Sequence, residues 1–306
     1  MIWVRMAFRR LHMLVILAGG PSAEREVSFA TAKTIQDSLQ RQGVKFVVID
    51  PAKPTWLEEL VAAKPEKVVL ALHGTFGEDG KVQHILQENN LPHTGSGATV
   101  SALAFDKLRT KDLVASLGVA VPKTLSANDS LNFPVVVKPN KQGSSYGVSI
   151  VSKASELSVA LELAQKYDED SKFIIEELIP GTELTCGVID VFGSLQALPL
   201  VEIVPKASFF DYQAKYSNES GCEEICPARI EAKLTEEIQE KSVSIYKKMG
   251  ARSYGRLDWI LRDGQPYFLE INTLPGMTPT SLINKELSAA GINFDDFIRN
   301  LLASAR

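Results

Sequence analysis

Cysteine is scarce in this 306-residue chain, which carries only Cys186, Cys222 and Cys226. Three thiols cannot all pair, and the Cys222/Cys226 spacing lacks the second pair that a zinc site needs. Reduced thiols in a cytosolic protein are therefore expected. A surplus of one charge is also missing: 33 Lys and Arg face 37 Asp and Glu, a net charge of −4. That balance argues against a nucleic-acid partner or an anionic-membrane surface. No apolar run approaches the ~20 residues of a membrane span. Met13–Ala18, behind Arg5, Arg9 and Arg10, loosely mimics a secretory signal, but it is short. It leads through Gly19-Gly20-Pro21 into a charged helical pattern without a small-residue cleavage site. It reads instead as a buried first strand, with residues 1–12 as a short extension and Met6 and Met13 as alternative starts. Repeats and low-complexity segments are absent as well. What remains is an ordinary soluble composition, 45% apolar and 23% charged, long enough for two or three domains.

The first third alternates strand and helix. Apolar strands are expected at 14–18, 46–49 and 68–72, and helices at 23–42, 55–63 and 82–89. Such alternation implies a parallel sheet covered on both faces, with ligands at the C-terminal strand ends. Two polar strand ends fit that rule: Gly19 to Glu24, and His73-Gly74. From Ser101 the pattern changes to α+β. A helix over 101–117 carries Lys107, Arg109 and Lys111. The apolar FPVVVKP segment (133–139) and the strand 148–151 flank a Gly/Ser loop, which predicts an antiparallel pair. A helix at 155–166 and a strand at 173–177 follow. The last third holds strands near 183–190 and 198–203, a polar aromatic loop at 209–216 and a long helix at 234–249. Strands bearing Arg256–Asp258 and Glu270–Asn272 come next, and a helix at 294–303 closes the chain. Boundaries near 105 and 190 divide it into units 1–105, 106–190 and 191–306.

The segment YFLEINTLPGMTPTSL (267–282) is the richest in chemistry. Positions i and i+2 of a strand share a face, so Glu270 and Asn272 present oxygens side by side. Hard cations such as Mg²⁺ take oxygen ligands of this kind, shared with substrate phosphates. Twelve residues before Glu270, Gly255-Arg256-Leu257-Asp258 adds a third oxygen ligand and a fixed positive charge. Left as a solvated hairpin face, these groups would sit in Leu/Ile/Phe-rich surroundings where unpaired charge is costly. Lys138 ends an apolar strand and calls for a charged partner, such as a nucleotide phosphate; a snorkelling stem is the alternative. The loop Gln142-Gly143-Ser144-Ser145-Tyr146-Gly147 has a phosphate-cradling composition, although it is neither a Walker loop nor a GxGxxG fingerprint. Read in isolation, Glu176-Glu177 is a solvated pair, Glu24 a helix-start acid, and His73 as much structural as functional.

Taken together, the segments GGPSAEREVS (19–28), ALHGTFGEDG (71–80), TGSG (94–97), SALAFDK (101–107), VVKP (136–139), QGSSYGV (142–148), FFDYQAKY (209–216), GRLD (255–258) and EINTLPGMT (270–278) resemble the D-alanine–D-alanine ligases of the ATP-grasp superfamily. The similarity runs from about residue 14 to the C-terminus. It implies a three-domain ATP-grasp architecture, α/β and α+β, with an N-terminal parallel-sheet domain and ATP held between the other two units. By motif, Lys107, Lys138 and Lys215 contact the nucleotide, and Gly143 and Ser145 belong to the loop that closes over its phosphates. Glu176, Glu177 and Ile179 line the adenine site, largely through main-chain groups, and Glu183 takes the ribose hydroxyls. Asp258, Glu270 and Asn272 hold two Mg²⁺ ions, with Mn²⁺ as a substitute. Glu24 binds the ammonium of the first D-alanine and is supported by Ser144 and Tyr216, while His73 orients that substrate. Arg256 and the Gly276 N–H stabilise the oxyanion. Ser281, Leu282 and Lys215 grip the second carboxylate.

The implied reaction activates one D-alanine carboxylate as an acyl phosphate and couples it to a second D-alanine amine. The resemblance also implies a bacterial cytoplasmic homodimer supplying peptidoglycan precursor. Tyr216 argues against a depsipeptide ligase that uses D-lactate. Glu24 within SAEREVS and the PGMT turn argue against another ATP-grasp carboxylate–amine ligase. A non-catalytic nucleotide-binding regulator is expected to lose Arg256 or a metal ligand, and all of these are present. The aromatic, basic loop 209–216 is the natural lid. Replacing Tyr216→Phe is expected to leave the fold intact while loosening closure. An unchanged rate together with unchanged ATP hydrolysis without coupling would refute that assignment.

Overall fold

The computed structural model describes residues 13–127, 130–168, 170–191, 193–205 and 222–306. Its first strand, β1 (Leu14–Leu17), is apolar throughout and fully buried, so its four side chains together stabilise the fold by roughly 6–12 kcal/mol. It is the centre of a three-stranded parallel sheet, flanked by β2 (Phe46–Ile49) and β3 (Lys67–Leu70). Helices α1 (Arg25–Arg41), α2 (Trp56–Ala63) and α3 (Lys81–Glu88) follow the three strands in turn, as the alternating pattern requires. One expectation fails at the edge: Val47 and Val48 of β2 are 37% and 40% exposed, so this strand is not covered on both faces.

The expected helix over 101–117 is two helices, α4 (Ala98–Phe105) and α5 (Lys107–Ser116). Asp106 breaks the run by leaving the helical region (φ −91°, ψ 98°) and capping α5, its side chain accepting from the Arg109 N–H. Asn140 completes the junction: its backbone carbonyl accepts from Lys107 N–H, its side-chain oxygen accepts from Leu108 N–H, and its amide donates to Asp106. The break thus places Lys107 at a helix start beside the end of the strand that carries Lys138.

A second sheet has the order β4-β7-β5-β6, from β4 (Thr124–Leu125), β5 (Val135–Pro139), β6 (Ser149–Val151) and β7 (Phe173–Glu177). Strands β5 and β6 are antiparallel across the Gly/Ser loop, as expected, and α6 (Leu157–Tyr167) covers this sheet's small Val/Ile core. The third sheet contains β8 (Thr182–Val191), β9 (Ser194–Ala197), β10 (Val201–Pro205), β11 (Cys222–Ile225), β12 (Tyr254–Arg262) and β13 (Gln265–Asn272). The change from the second sheet to the third falls between β7 and β8. The strand expected at 198–203 is β10, starting three residues later, and β9 was not expected. Helix α7 (Ala232–Met249) backs this sheet, and Trp259 and Tyr246 are among its fully buried side chains.

Two final helices, α8 (Leu282–Ala289) and α9 (Phe294–Ser304), return to the first sheet. Ile283, Leu287, Phe297, Ile298 and Leu301 share one core with Leu14–Leu17. Arg41 of α1 bonds Asp295 of α9, with Nη2–Oδ1 at 2.6 Å. His93 N–H donates to the Arg306 carbonyl at 3.0 Å. The three cysteines are free thiols, and burial pushes Cys226 up to about 11 and Cys186 further, so neither supplies a thiolate at neutral pH.

Replacing Asp106→Ala should remove the α5 cap and the Asn140 tie together. A loss of about 1–2 kcal/mol is expected, read in thermal melts as a lowering of roughly 2–4 °C. An unchanged melt would refute the capping role.

Candidate active site

The second and third sheets, together with α1 and the segments that follow β1 and β3, border one cavity of about 830 Å³. Every described residue expected at the site lines it: Glu24 and His73 from the first unit, Lys107, Lys138, Gly143, Ser144, Ser145, Glu176, Glu177, Ile179 and Glu183 from the second, and Arg256, Asp258, Glu270, Asn272, Gly276, Ser281 and Leu282 from the third. Lys215, Tyr216 and the rest of the 209–216 loop lie outside the described residues.

Glu24 precedes α1 but does not cap it. Its Oε2 instead accepts a 2.6 Å bond from the Ser144 hydroxyl, linking residues 120 positions apart in the sequence. Glu24 therefore stands at the N-cap position of α1 and also reaches the Gly/Ser loop. Ser144 and Ser145 both have positive φ (48° and 54°), a region disfavoured for residues with a side chain and typical of functional loops. Burial raises the Glu24 carboxyl above its usual range, with Glu78 adding to the effect, while Ser144 and His73 oppose it. A cation bound beside this carboxyl would favour its ionised form.

His73 follows the C-terminal end of β3 by three residues, on the side that the fold rule favours for ligands. Its Nε2 lies 2.9 Å from Thr31 Oγ1 and its Nδ1 3.7 Å from Glu78 Oε1. Thr31 also accepts from the Met277 N–H at 3.3 Å, so α1 holds both His73 and the Pro-Gly turn of the third unit. A Cβ on Gly276 would come 3.2 Å from Ser281 Oγ and 3.7 Å from His73 Cε1. The bare backbone there leaves room between them.

Strands β12 and β13 pair Asp258 with Glu270 and Arg256 with Asn272, so all four groups share one face. Arg256 grips Asp258 with two bonds, Nε–Oδ1 at 2.9 Å and Nη2–Oδ2 at 2.8 Å, and Thr185 Oγ1 donates to Oδ1 at 2.7 Å. Burial works against the guanidinium charge, but Asp258, Glu270 and Glu286 outweigh it and hold Arg256 protonated well above its ordinary range. Lys107 Nζ lies 3.0 Å from Glu270 Oε2 and donates to the Gln142 carbonyl at 2.5 Å. Asn272 Oδ1 accepts from the Leu274 N–H at 2.7 Å.

These carboxylates and the amide are hard oxygen donors of the type Mg²⁺ takes, so their chemistry fits that ion. Among the described residues no three His, Cys, Asp or Glu side chains gather around a metal position.

Glu176, expected as half of a solvated pair, is instead 2% exposed. Its carboxylate bridges two lysines, Lys111 Nζ at 2.6 Å and Lys138 Nζ at 2.8 Å. Burial disfavours its charge, yet the two ammoniums outweigh this and lower its pKa, while burial lowers that of Lys111. The side chain is thus committed to the lysines, leaving main-chain groups to face a ligand. Glu177 Oε1 accepts from the Lys123 N–H.

Three contributors escaped the sequence reading. Glu78 lies five residues after His73 in HGTFGED, and its acidity beside a strand-end His was the available signal. Lys111 was visible only as a basic residue on the expected helix. Glu286 of α8 gave no signal. It is fully buried, its Oε1 accepts from the Gly187 N–H at 2.7 Å, and a Cβ on Gly187 would lie 2.6 Å from its Oε2. Gly187 pairs with Arg256 across β8–β12, so Glu286 fills the gap beside the arginine.

A parallel-sheet unit joined to two further sheets, with lysines, paired carboxylates and a Gly/Ser loop around one cleft, has the architecture of the ATP-grasp class. The family model described as "D-ala D-ala ligase C-terminus" matches residues 100–303. The D-alanine--D-alanine ligase of Cupriavidus pinatubonensis is 40% identical over 300 residues, 95% of this chain and 90% of the relative. The crystal structure of the D-alanine--D-alanine ligase from Bacillus anthracis superposes with a TM-score of 0.82 at 35% identity, covering 95% of this chain and 96% of that one. The Bacillus anthracis enzyme complexed with ATP gives a TM-score of 0.80 at 32% identity, with the same coverage. The chain belongs to the D-alanine–D-alanine ligase family.

Burial raises the Glu286 carboxyl to about 8, with Asp258 adding to the rise and the Gly187 N–H and Arg256 opposing it. A raised carboxyl contributes stability that is complete below the unfolded value of ~4.3 and is lost as pH climbs towards the folded value. Glu286→Gln should therefore flatten the fall in thermal stability between about pH 4.5 and 8. Parallel melting curves for the two proteins across that window would refute the assignment.

Proposed function

We propose that this protein joins two D-alanine molecules at the expense of ATP, releasing ADP, phosphate and D-alanyl-D-alanine. The reading rests chiefly on one observation: the described residues expected to carry the reaction line a single cavity. A carboxylate is a poor electrophile. One carboxylate oxygen of the first D-alanine attacks the γ-phosphorus, the bond to the ADP oxygen breaks, and an acyl phosphate results. The neutral amine of the second D-alanine then attacks the acyl carbon. The tetrahedral intermediate collapses with loss of phosphate, and the new amide nitrogen gives up a proton.

Glu24, held by Ser144, receives the ammonium of the first substrate, and His73 orients it. The substrate ammonium beside Glu24 favours its ionised form. Lys107 and Lys138 attend the phosphates, Gly143 and Ser145 contribute the loop above them, and Lys215 adds a further cation. Glu176, Glu177 and Ile179 receive the adenine largely through main-chain atoms, and Glu183 takes the ribose. Arg256 and the Gly276 N–H stabilise the oxyanion, where loss of one donor typically costs ~3 kcal/mol. The permanent charge of Arg256 also disfavours a second cation nearby, which favours the neutral attacking amine. Ser281, the Leu282 backbone and Lys215 hold the second carboxylate, and Tyr216 closes the lid that keeps water from the acyl phosphate.

Asp258, Glu270 and Asn272 would hold two Mg²⁺ ions arriving with the nucleotide. When bound, these ions offset charge on the phosphate oxygens. We further propose cytoplasmic action as a homodimer, supplying peptidoglycan precursor. No helix among the described residues is long and apolar enough to cross a membrane.

Phosphate release from ATP and Mg²⁺ is the test, first with D-alanine alone and then with D-alanine plus D-lactate, across pH 6 to 9. Release with D-alanine alone, together with a dipeptide product, is expected. Release only with D-lactate present would transfer the assignment to a depsipeptide ligase. Absence of release in both mixtures would overturn it.

A further inference from the structure

Lys111 takes no part in lining the cavity and is only 3% exposed. Its ammonium donates to Glu176 Oε1 at 2.6 Å and to the Pro122 carbonyl at 2.7 Å. The other carboxylate oxygen of Glu176 meets Lys138 Nζ at 2.8 Å. Two lysines therefore share one carboxylate, and only Lys138 of the two faces the cleft.

One anion between two cations leaves a net charge of +1 beneath the cavity floor. Without Lys111, the full charge of Glu176 would fall on Lys138, and the pair beneath the cleft would be neutral. In a poorly solvated site, one unit of charge at this range acts strongly on an approaching anion.

We propose that Lys111 is a positioning residue for nucleotide phosphate: it neutralises Glu176 from behind, and so keeps Lys138 available to the polyphosphate. This rests on the ATP-dependent reading above. It predicts that Lys111 acts on affinity in proportion to ligand charge, although it never touches the ligand.

The experiment is equilibrium binding of ATP, ADP and adenosine to the full-length protein, without amino-acid substrate, for the unaltered chain and for Lys111→Met, Lys111→Gln and Lys111→Arg. Methionine and glutamine delete the charge, so whichever variant retains a wild-type melt reports the effect. The expected result is a loss of about tenfold or more in ATP affinity, a smaller loss for ADP, and adenosine binding unchanged within about twofold. Lys111→Arg should retain ATP binding. Adding Glu176→Gln to Lys111→Met removes both charges and should restore much of the ATP affinity. Equal weakening of adenosine and ATP would reveal a merely structural lysine and overturn the proposal, as would undiminished ATP binding by both charge-deleting variants. Failure of the unaltered protein to bind ATP would defeat the functional reading itself, and this inference with it.

Discussion

Burial of opposite charges across element boundaries organises this molecule. The cleft draws Lys107, Lys138, Arg256, Glu24, Glu176, Asp258 and Glu270 into a region walled by Val, Ile and Leu. None of these can be taken from water without a partner. The partners come from different parts of the chain: Glu24 from Ser144, Glu176 from Lys111 and Lys138, Glu270 from Lys107. The charges that serve the chemistry therefore also fix how the three sheets meet. Apolar burial supplies most of the stability, as the complete enclosure of Leu14–Leu17 illustrates. Such burial is non-directional, and it does not by itself place a carboxylate within reach of a particular hydroxyl.

The same arrangement explains why several groups sit in states that burial disfavours. Glu24 and Glu286 both have carboxyls raised by desolvation, and Ser144 and Ser145 both occupy the left-handed backbone region. A fold selected for stability alone would avoid each of these features. Glu24, Ser144 and Ser145 line one cleft, and Glu286 lies beside Gly187, the strand partner of Arg256 in that cleft; perturbed groups clustered in this way mark functional sites.

Much of this was legible from local pattern. The spacing of Glu270 and Asn272 fixed their common face, because side-chain alternation on a strand is a local property. The Gly/Ser loop between apolar runs signalled the β5–β6 hairpin for the same reason. The break at Asp106 was not legible, because half of its cause is Asn140, which arrives from the end of β5. The enclosure of Glu176 was hidden likewise: its two lysines lie 65 and 38 positions upstream and reach it only through the fold. Glu286 was the hardest case, since a lone acid in a short helix looks like an exposed one until Gly187 provides its gap. Local periodicity reports which face a residue occupies, and long-range contact decides what waits on that face.

The return of α8 and α9 to the first sheet sets an order of assembly. Strands β1 and β3 and helix α1 are synthesised first, but the layer that seals them contains Ile283, Leu287, Phe297 and Leu301. Closing that core joins residues at opposite ends of the chain, the kind of non-local contact that slows folding. During synthesis the sheet must wait with its apolar face uncovered, when such surfaces are most prone to aggregate. Material cut short before α8 should therefore fail as a whole, beginning with the unit that left the ribosome first.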